Sequence, residues 1–139
     1  MCNNCDKIVV DIVKNHYYNL LGDKLRTLLQ TRKILFFGVN EVMRRLLDFI
    51  SECDFAVTAP DLKFDADDWR VIESELYDKN VMSDMIENKF ISKLSSENLN
   101  DIGMVVVLSV NLLETAKQKV RALMPKLPVL MYSDVLHQV

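Results

Sequence analysis

The chain has 139 residues, half of them hydrophobic and 27% charged, which suits one domain with a buried core and is too short for two comfortable ones. A net charge of -3 argues against nucleic acid as a partner, and no apolar run approaches the roughly 20 residues that span a bilayer. Three cysteines (Cys2, Cys5, Cys53) do not suit a disulfide framework, and Met1 to Asp6 lacks the charged flank and apolar core of a secretion signal, so a cytoplasmic location is expected.

Residues 4–30 read as helical. Ile8, Val9, Ile12, Val13, Tyr17, Leu20 and Leu21 recur at helical spacing, with Asp6, Lys7, Asp11, Lys14 and Asn15 on the other side. Gly22 and Asp23 read as a helix stop and a fresh N-cap, after which Leu25, Leu28 and Leu29 continue a second short helix. Residues 1–31 therefore form a leading helical segment, expected to pack on the domain of residues 32–139 or on a partner subunit. A homo-oligomer, a homodimer in the simplest case, built through these helices is the expectation.

Lys33 to Phe37 is a short, continuous apolar run that stops at Gly38. Continuous rather than alternating apolarity predicts a strand buried on both faces, as in a parallel sheet. Asn40 suits a helix N-cap and Glu41 the positive end of the helix dipole. Val42, Leu46, Leu47 and Ile50 then make an inward face, with Arg44, Arg45 and Asp48 outward. Asp54 to Thr58 is the second strand, ended by Ala59-Pro60-Asp61.

Asp65, Asp67 and Asp68 suit a helix N-terminus ahead of Trp69, Ile72 and Leu76, and a further helical turn follows through Val81, Met82, Met85 and Ile86. Phe90-Ile91 is a short third strand, and Ser95 caps a short helix through Leu99. Gly103 to Val110 is the clearest strand, and Asn111 caps a helix whose inward residues are Leu112, Leu113, Ala116, Val120 and Leu123. Pro125 stops that helix, Pro128 to Tyr132 is the fifth strand, and Val135 to Val139 is a tail. Strand and helix in alternation predict an α/β three-layer sandwich of about five parallel strands in the order 3-2-1-4-5.

The stretch from Lys33 to Asp61 resembles the opening unit of Rossmann-like nucleotide-binding domains. That family places G-x-G-x-x-G after the first strand and a ribose-binding acid about twenty residues on. Here the three glycine positions hold Gly38, Asn40 and Met43, and Asp61 ends the second strand. The resemblance implies a small ligand at the turn Gly38, Val39, Asn40 and Glu41, NAD(P) or another nucleotide or phosphate-bearing molecule, with Asp61 on its ribose. Helix N-termini offer free N–H groups to such anions. Ser109 and Asn111, after the fourth strand, and Thr58, after the second, complete the expected crevice at the carboxyl edge of the sheet. Asn40 carries a side chain where a pyrophosphate would approach the backbone. Met43 stands where the family packs its helix closely on the sheet.

Other constellations point elsewhere or nowhere. Cys2-x-x-Cys5 supplies two of the roughly four ligands a zinc site needs, and two exposed or disordered cysteines at a terminus are the simpler reading. His16 and His137 have no sequence-adjacent partner for acid–base or nucleophilic work, so no catalytic residue and no metal ligand is assigned. A receiver domain would need an acidic pair after the first strand and a lysine after the last, where Ser133-Asp134 stands. Three functions remain open: a ligand-binding or regulatory module, a structural or oligomerisation domain with no small ligand, and an accessory domain of a nucleotide-dependent enzyme.

Overall fold

The computed structural model describes residues 3–38, 41–58, 87–91 and 93–137, the side chains of 3–11, 41, 44 and 87 excepted. The chain opens with helix α1 (Asn3–Leu29), then strand β1 (Lys33–Phe37), helix α2 (Glu41–Ile50) and strand β2 (Phe55–Thr58). A 3-10 turn over Glu87–Lys89 precedes β3 (Ile102–Val107). A second over Val110–Leu112 leads into helix α3 (Leu113–Leu123), which is followed by β4 (Val129–Met131) and a last 3-10 helix over Tyr132–His137.

The four strands are all parallel, in the order β2-β1-β3-β4. Both the count and the order differ from the expected five-stranded 3-2-1-4-5. Phe90-Ile91 makes only an isolated parallel bridge, Phe90 to Val57, and Ile91 N–H donates to the Val57 carbonyl at 2.7 Å. Two apolar residues set between Lys89 and Lys93 do not extend into a ladder. Among the described residues no helix is long and apolar enough to cross a membrane.

The central strand explains its own composition. Ile34 and Phe36 point into one core beneath α1 and α2, while Leu35 and Phe37 point into a second core beneath α3. β3 divides likewise, Met104 and Val106 to the first core and Val105 and Val107 to the second. A strand covered on both sides has no polar face to offer, so its apolar run is unbroken. Between Lys33 and Ile34 the register slips by one residue at Gly103, a bulge at the amino edge of the sheet. There the half-buried Lys33 lies 3.3 Å from Asp101 and 3.7 Å from Asp54.

Several sequence expectations change here. α1 is one continuous helix across Gly22, with no stop and no fresh cap. A Cβ placed at Gly22 would fall 2.3 Å from Cγ of Phe49, so this glycine lets α2 approach α1. Met43 is fully buried beside Leu46 and Ile50 and belongs to the inward face of α2. The Ser95 segment is a turn rather than a helix, closed by Ser95 N–H to Asn98 Oδ1 at 2.8 Å and Asn98 N–H to Ser95 Oγ at 3.3 Å. Val135 is no tail residue: it is fully buried in the first core, where the last 3-10 helix packs on α1.

Candidate functional site

The carboxyl edge of the sheet is assembled around Gly38. Its φ of +119° is a conformation that L side chains rarely adopt, and the strand leaves the sheet there. Gly38 N–H donates to the Thr58 carbonyl at 2.7 Å, and Leu108 N–H donates to the Phe37 carbonyl at 3.0 Å. Thr58 is itself buried, and its hydroxyl donates to the Ile91 carbonyl at 2.7 Å. One residue thus ties together the ends of β1 and β2 and the segment beyond.

Of the residues singled out from sequence, Gly38 and Ser109 come to the ends of the neighbouring strands β1 and β3. Ser109 is half-buried and extended (φ -140°, ψ 133°), and its side chain makes no capping hydrogen bond. Asn111 is exposed inside the 3-10 turn, and the cap of α3 falls on Leu112, again without a side-chain hydrogen bond. The expected Asn111 cap is therefore corrected. Leu112 N–H bonds the Ser109 carbonyl at 3.0 Å, and this tight turn delays the helix. Val39, Asn40 and Asp61 lie outside the described residues, as do the acidic group at Asp65 to Asp68 and the side chain of Glu41.

At the point where the strand order reverses, between β1 and β3, Gly38 faces the side chains of Leu112 and Leu108 among the described residues. Leu112 Cδ1 stands 3.2 Å from where a Cβ on Gly38 would be, and Leu108 Cβ stands 3.6 Å away. With the Gly38 N–H engaged by Thr58, this turn offers neither that amide nor open space above the glycine.

Open space lies one strand over. A cleft of about 320 Å³ is bounded by Phe37 and Thr58, the last residues of β1 and β2, by Lys93 and Leu94, and by Lys119, Ala122 and Leu123 of α3. Phe37, Leu94 and Leu123 belong to or pack on the second core, so the floor is apolar. Lys93 and Lys119 are exposed, and among the described residues neither makes an ion pair, in contrast with Lys33 and Arg26. An apolar floor with two cations not neutralised by those residues suits a ligand with a flat or greasy body and an anionic group. Sequence reasoning named Thr58 but not the lysines. Lys119 is one of several basic residues on α3 and Lys93 sits in an irregular segment, so no local pattern marks either.

Elsewhere, Cys53 is a half-buried free thiol whose carbonyl accepts a hydrogen bond from Lys89 Nζ at 3.0 Å. Lys89 Nζ also lies 4.4 Å from the centroid of the Phe55 ring. Burial pushes the Tyr17 hydroxyl above its ordinary pKa, with Tyr132, Tyr18 and Asp134 adding to the effect. No group of three or more His, Cys, Asp or Glu able to hold a metal occurs among the described residues.

Fold and site together define an α/β protein with an all-parallel sheet, an N-terminal helix and a lysine-rimmed cleft at the carboxyl edge. No family model, no curated protein and no solved structure matches the chain.

Proposed function

We propose that the chain is a Rossmann-like ligand-binding or regulatory module that holds a small phosphate-bearing molecule, of which nucleotides are the leading class. The observation that carries this reading is the cleft between Phe37, Thr58 and α3 with Lys93 and Lys119 on its rim. Ligands of open parallel sheets bind outside the carboxyl ends of the strands, and this cleft lies at two of them. Stacking of a base or other flat group on the apolar floor, with phosphate toward the lysines, uses every part of the lining. The Gly38 amide is engaged by the Thr58 carbonyl and Leu112 stands close to that glycine, so the adjoining cleft, beside the first turn, is the place proposed for the ligand.

Melting temperature followed during titration with NAD, NADP, nucleoside triphosphates and inorganic phosphate tests this. A ligand at about 100 times its Kd stabilises the folded state by about 2.7 kcal/mol. For a domain of this size that raises the melting temperature by several degrees. The rise is expected with at least one nucleotide and is expected to vanish in Lys93→Ala/Lys119→Ala, whose unliganded melting temperature stays near that of the parent. A flat response to every ligand overturns the reading.

A further inference from the structure

We infer that residues 87–91 and 93–94 form a strap along the outer edge of β2, and that its closing presents Lys93 and Leu94 to the cleft and thereby sets ligand affinity. The inference rests on the ligand-binding reading and concerns how that site is controlled.

β2 is the outermost strand on its side of the sheet, and the edge of such a strand presents backbone groups with no ladder partner. The strap runs along that edge in the direction of β2. Phe90 packs on the first core and Ile91 on the second, the alternation of a strand. Yet β1 pairs with β2 at four positions, whereas among the described residues the strap meets β2 in one isolated bridge, Phe90 to Val57.

Its pins sit at the two ends of β2. At the carboxyl end Ile91 N–H donates to the Val57 carbonyl and the Thr58 hydroxyl donates to the Ile91 carbonyl, both at 2.7 Å. At the amino end Lys89 Nζ donates to the Cys53 carbonyl at 3.0 Å and stands 4.4 Å from the centroid of the Phe55 ring. Cys53 N–H in turn donates to the Ile50 carbonyl at 2.8 Å, which ties this pin to the end of α2. A strand rises about 3.3 Å per residue, so the pins are on the order of 15 Å apart. Lys89 is no part of the cleft lining and acts on it through the strap.

Lys93 is held from both sides, upstream by Ile91 and downstream by its own carbonyl, which accepts from Asn98 Nδ2 at 2.8 Å. Releasing Ile91 leaves it tethered from one side, without a fixed place at the rim. A segment with so few ladder bonds belongs to the part of a fold that opens at the lowest free energy. Closed, it delivers one of the two cations and, through Leu94, part of the apolar wall. Affinity therefore follows the closed fraction, and a ligand bound by the closed form holds the strap shut in return.

Amide hydrogen exchange of the full chain tests this, with the Ile91 amide reporting the strap and the β1 amides reporting the sheet. Without ligand, Lys89→Met is expected to quicken exchange at Ile91 several-fold and to leave β1 unchanged, since the variant keeps an apolar stem on Phe55. With ATP, NAD or inorganic phosphate at about 100 times its Kd, exchange at Ile91 in the parent is expected to slow about 100-fold. Lys89→Met/Ile91→Pro removes a pin at each end without touching the cleft lining. It is expected to bind the same ligand at least about fivefold more weakly while β1 stays protected. Exchange at Ile91 that is unchanged in Lys89→Met, or quickened equally with β1, overturns the strap. Binding with no slowing at Ile91, or undiminished in the double variant, overturns its control of the cleft while the ligand reading stands. Absence of binding by every probe overturns both.

Discussion

Gly22 of α1 and the ring of Phe49 in α2 occupy each other's space so closely that a single added carbon on Gly22 would sit 2.3 Å from Phe49 Cγ. A glycine inside a helix costs about 1 kcal/mol relative to alanine, so helix propensity alone favours replacing it. Packing reverses the sign. Overfilling a close-packed contact costs about 1–3 kcal/mol, and Gly22→Ala is expected to destabilise by the net of the two. Urea unfolding of Gly22→Ala, alone and with Phe49→Leu, measures this. The second change is expected to recover part of the loss, and a more stable Gly22→Ala would show that α2 does not rest on α1 here.

Gly38 and Gly103 separate conformation from contact. Gly38 has φ of +119°, whereas an added Cβ at Gly103 meets the side chain of the exposed Arg32, its Cβ at 3.0 Å, on an exposed bulge. Holding a residue with a Cβ in a sparsely populated backbone region costs about 1–3 kcal/mol. Gly38→Ala is expected to lose that much and Gly103→Ala distinctly less. Equal losses in chemical denaturation would contradict the turn geometry.

Thr58 is the buried polar residue among the described side chains of the cores, and its hydroxyl donates to Ile91. Thr58→Val keeps the shape and removes the donor, leaving the Ile91 carbonyl without it. A fully buried acceptor so treated costs about 1–3 kcal/mol, and the half-buried Ile91 is expected at the lower end. The same change loosens the segment that carries Lys93 and Leu94 to the cleft, so any ligand-induced rise in melting temperature is expected to shrink with it. Unaltered stability would mean the hydrogen bond contributes nothing.

Tyr17 gives an alkaline signature. Its pKa is raised above the ordinary 10.0, chiefly by burial and then by Tyr132, Tyr18 and Asp134. The unfolded chain therefore releases this proton first as pH rises. The stability held below pH 10.0 is lost progressively from there up to the raised folded value. Tyr17→Phe is expected to flatten the fall in stability above that pH, read by urea midpoints at neutral and alkaline pH. Identical slopes for parent and variant would remove Tyr17 as the cause.

The lysines of the cleft separate charge from shape. Lys93→Met/Lys119→Met keeps apolar bulk at the rim and removes both cations. Binding of a phosphate-bearing ligand is expected to weaken and to lose its dependence on salt, since that dependence comes from the cations. Thermal shifts in low and high salt report this, and undiminished binding would place the anion elsewhere.

What the sequence determined by itself is the layering. The unbroken run Ile34 to Phe37 and the run Met104 to Val107 can satisfy every side chain only between two covering layers, and both lie there. The faces of α2 and α3 were legible for the same reason: Leu46, Leu47 and Ile50, and Ala116 and Val120, repeat with the helical period. Tertiary structure alone decided what needed two distant segments. Gly22 has the local chemistry of a helix stop, and only the arrival of Phe49 makes it a contact point within one helix. Gly38 has the look of a phosphate turn, and only the positions of Leu112 and the Thr58 carbonyl engage it with protein. Lys93 and Lys119 are unremarkable surface residues until the chain brings α3 across the ends of β1 and β2. Periodicity records which side of an element is buried, because burial acts on each residue in place. It does not record which distant groups meet, because that depends on how the elements pack.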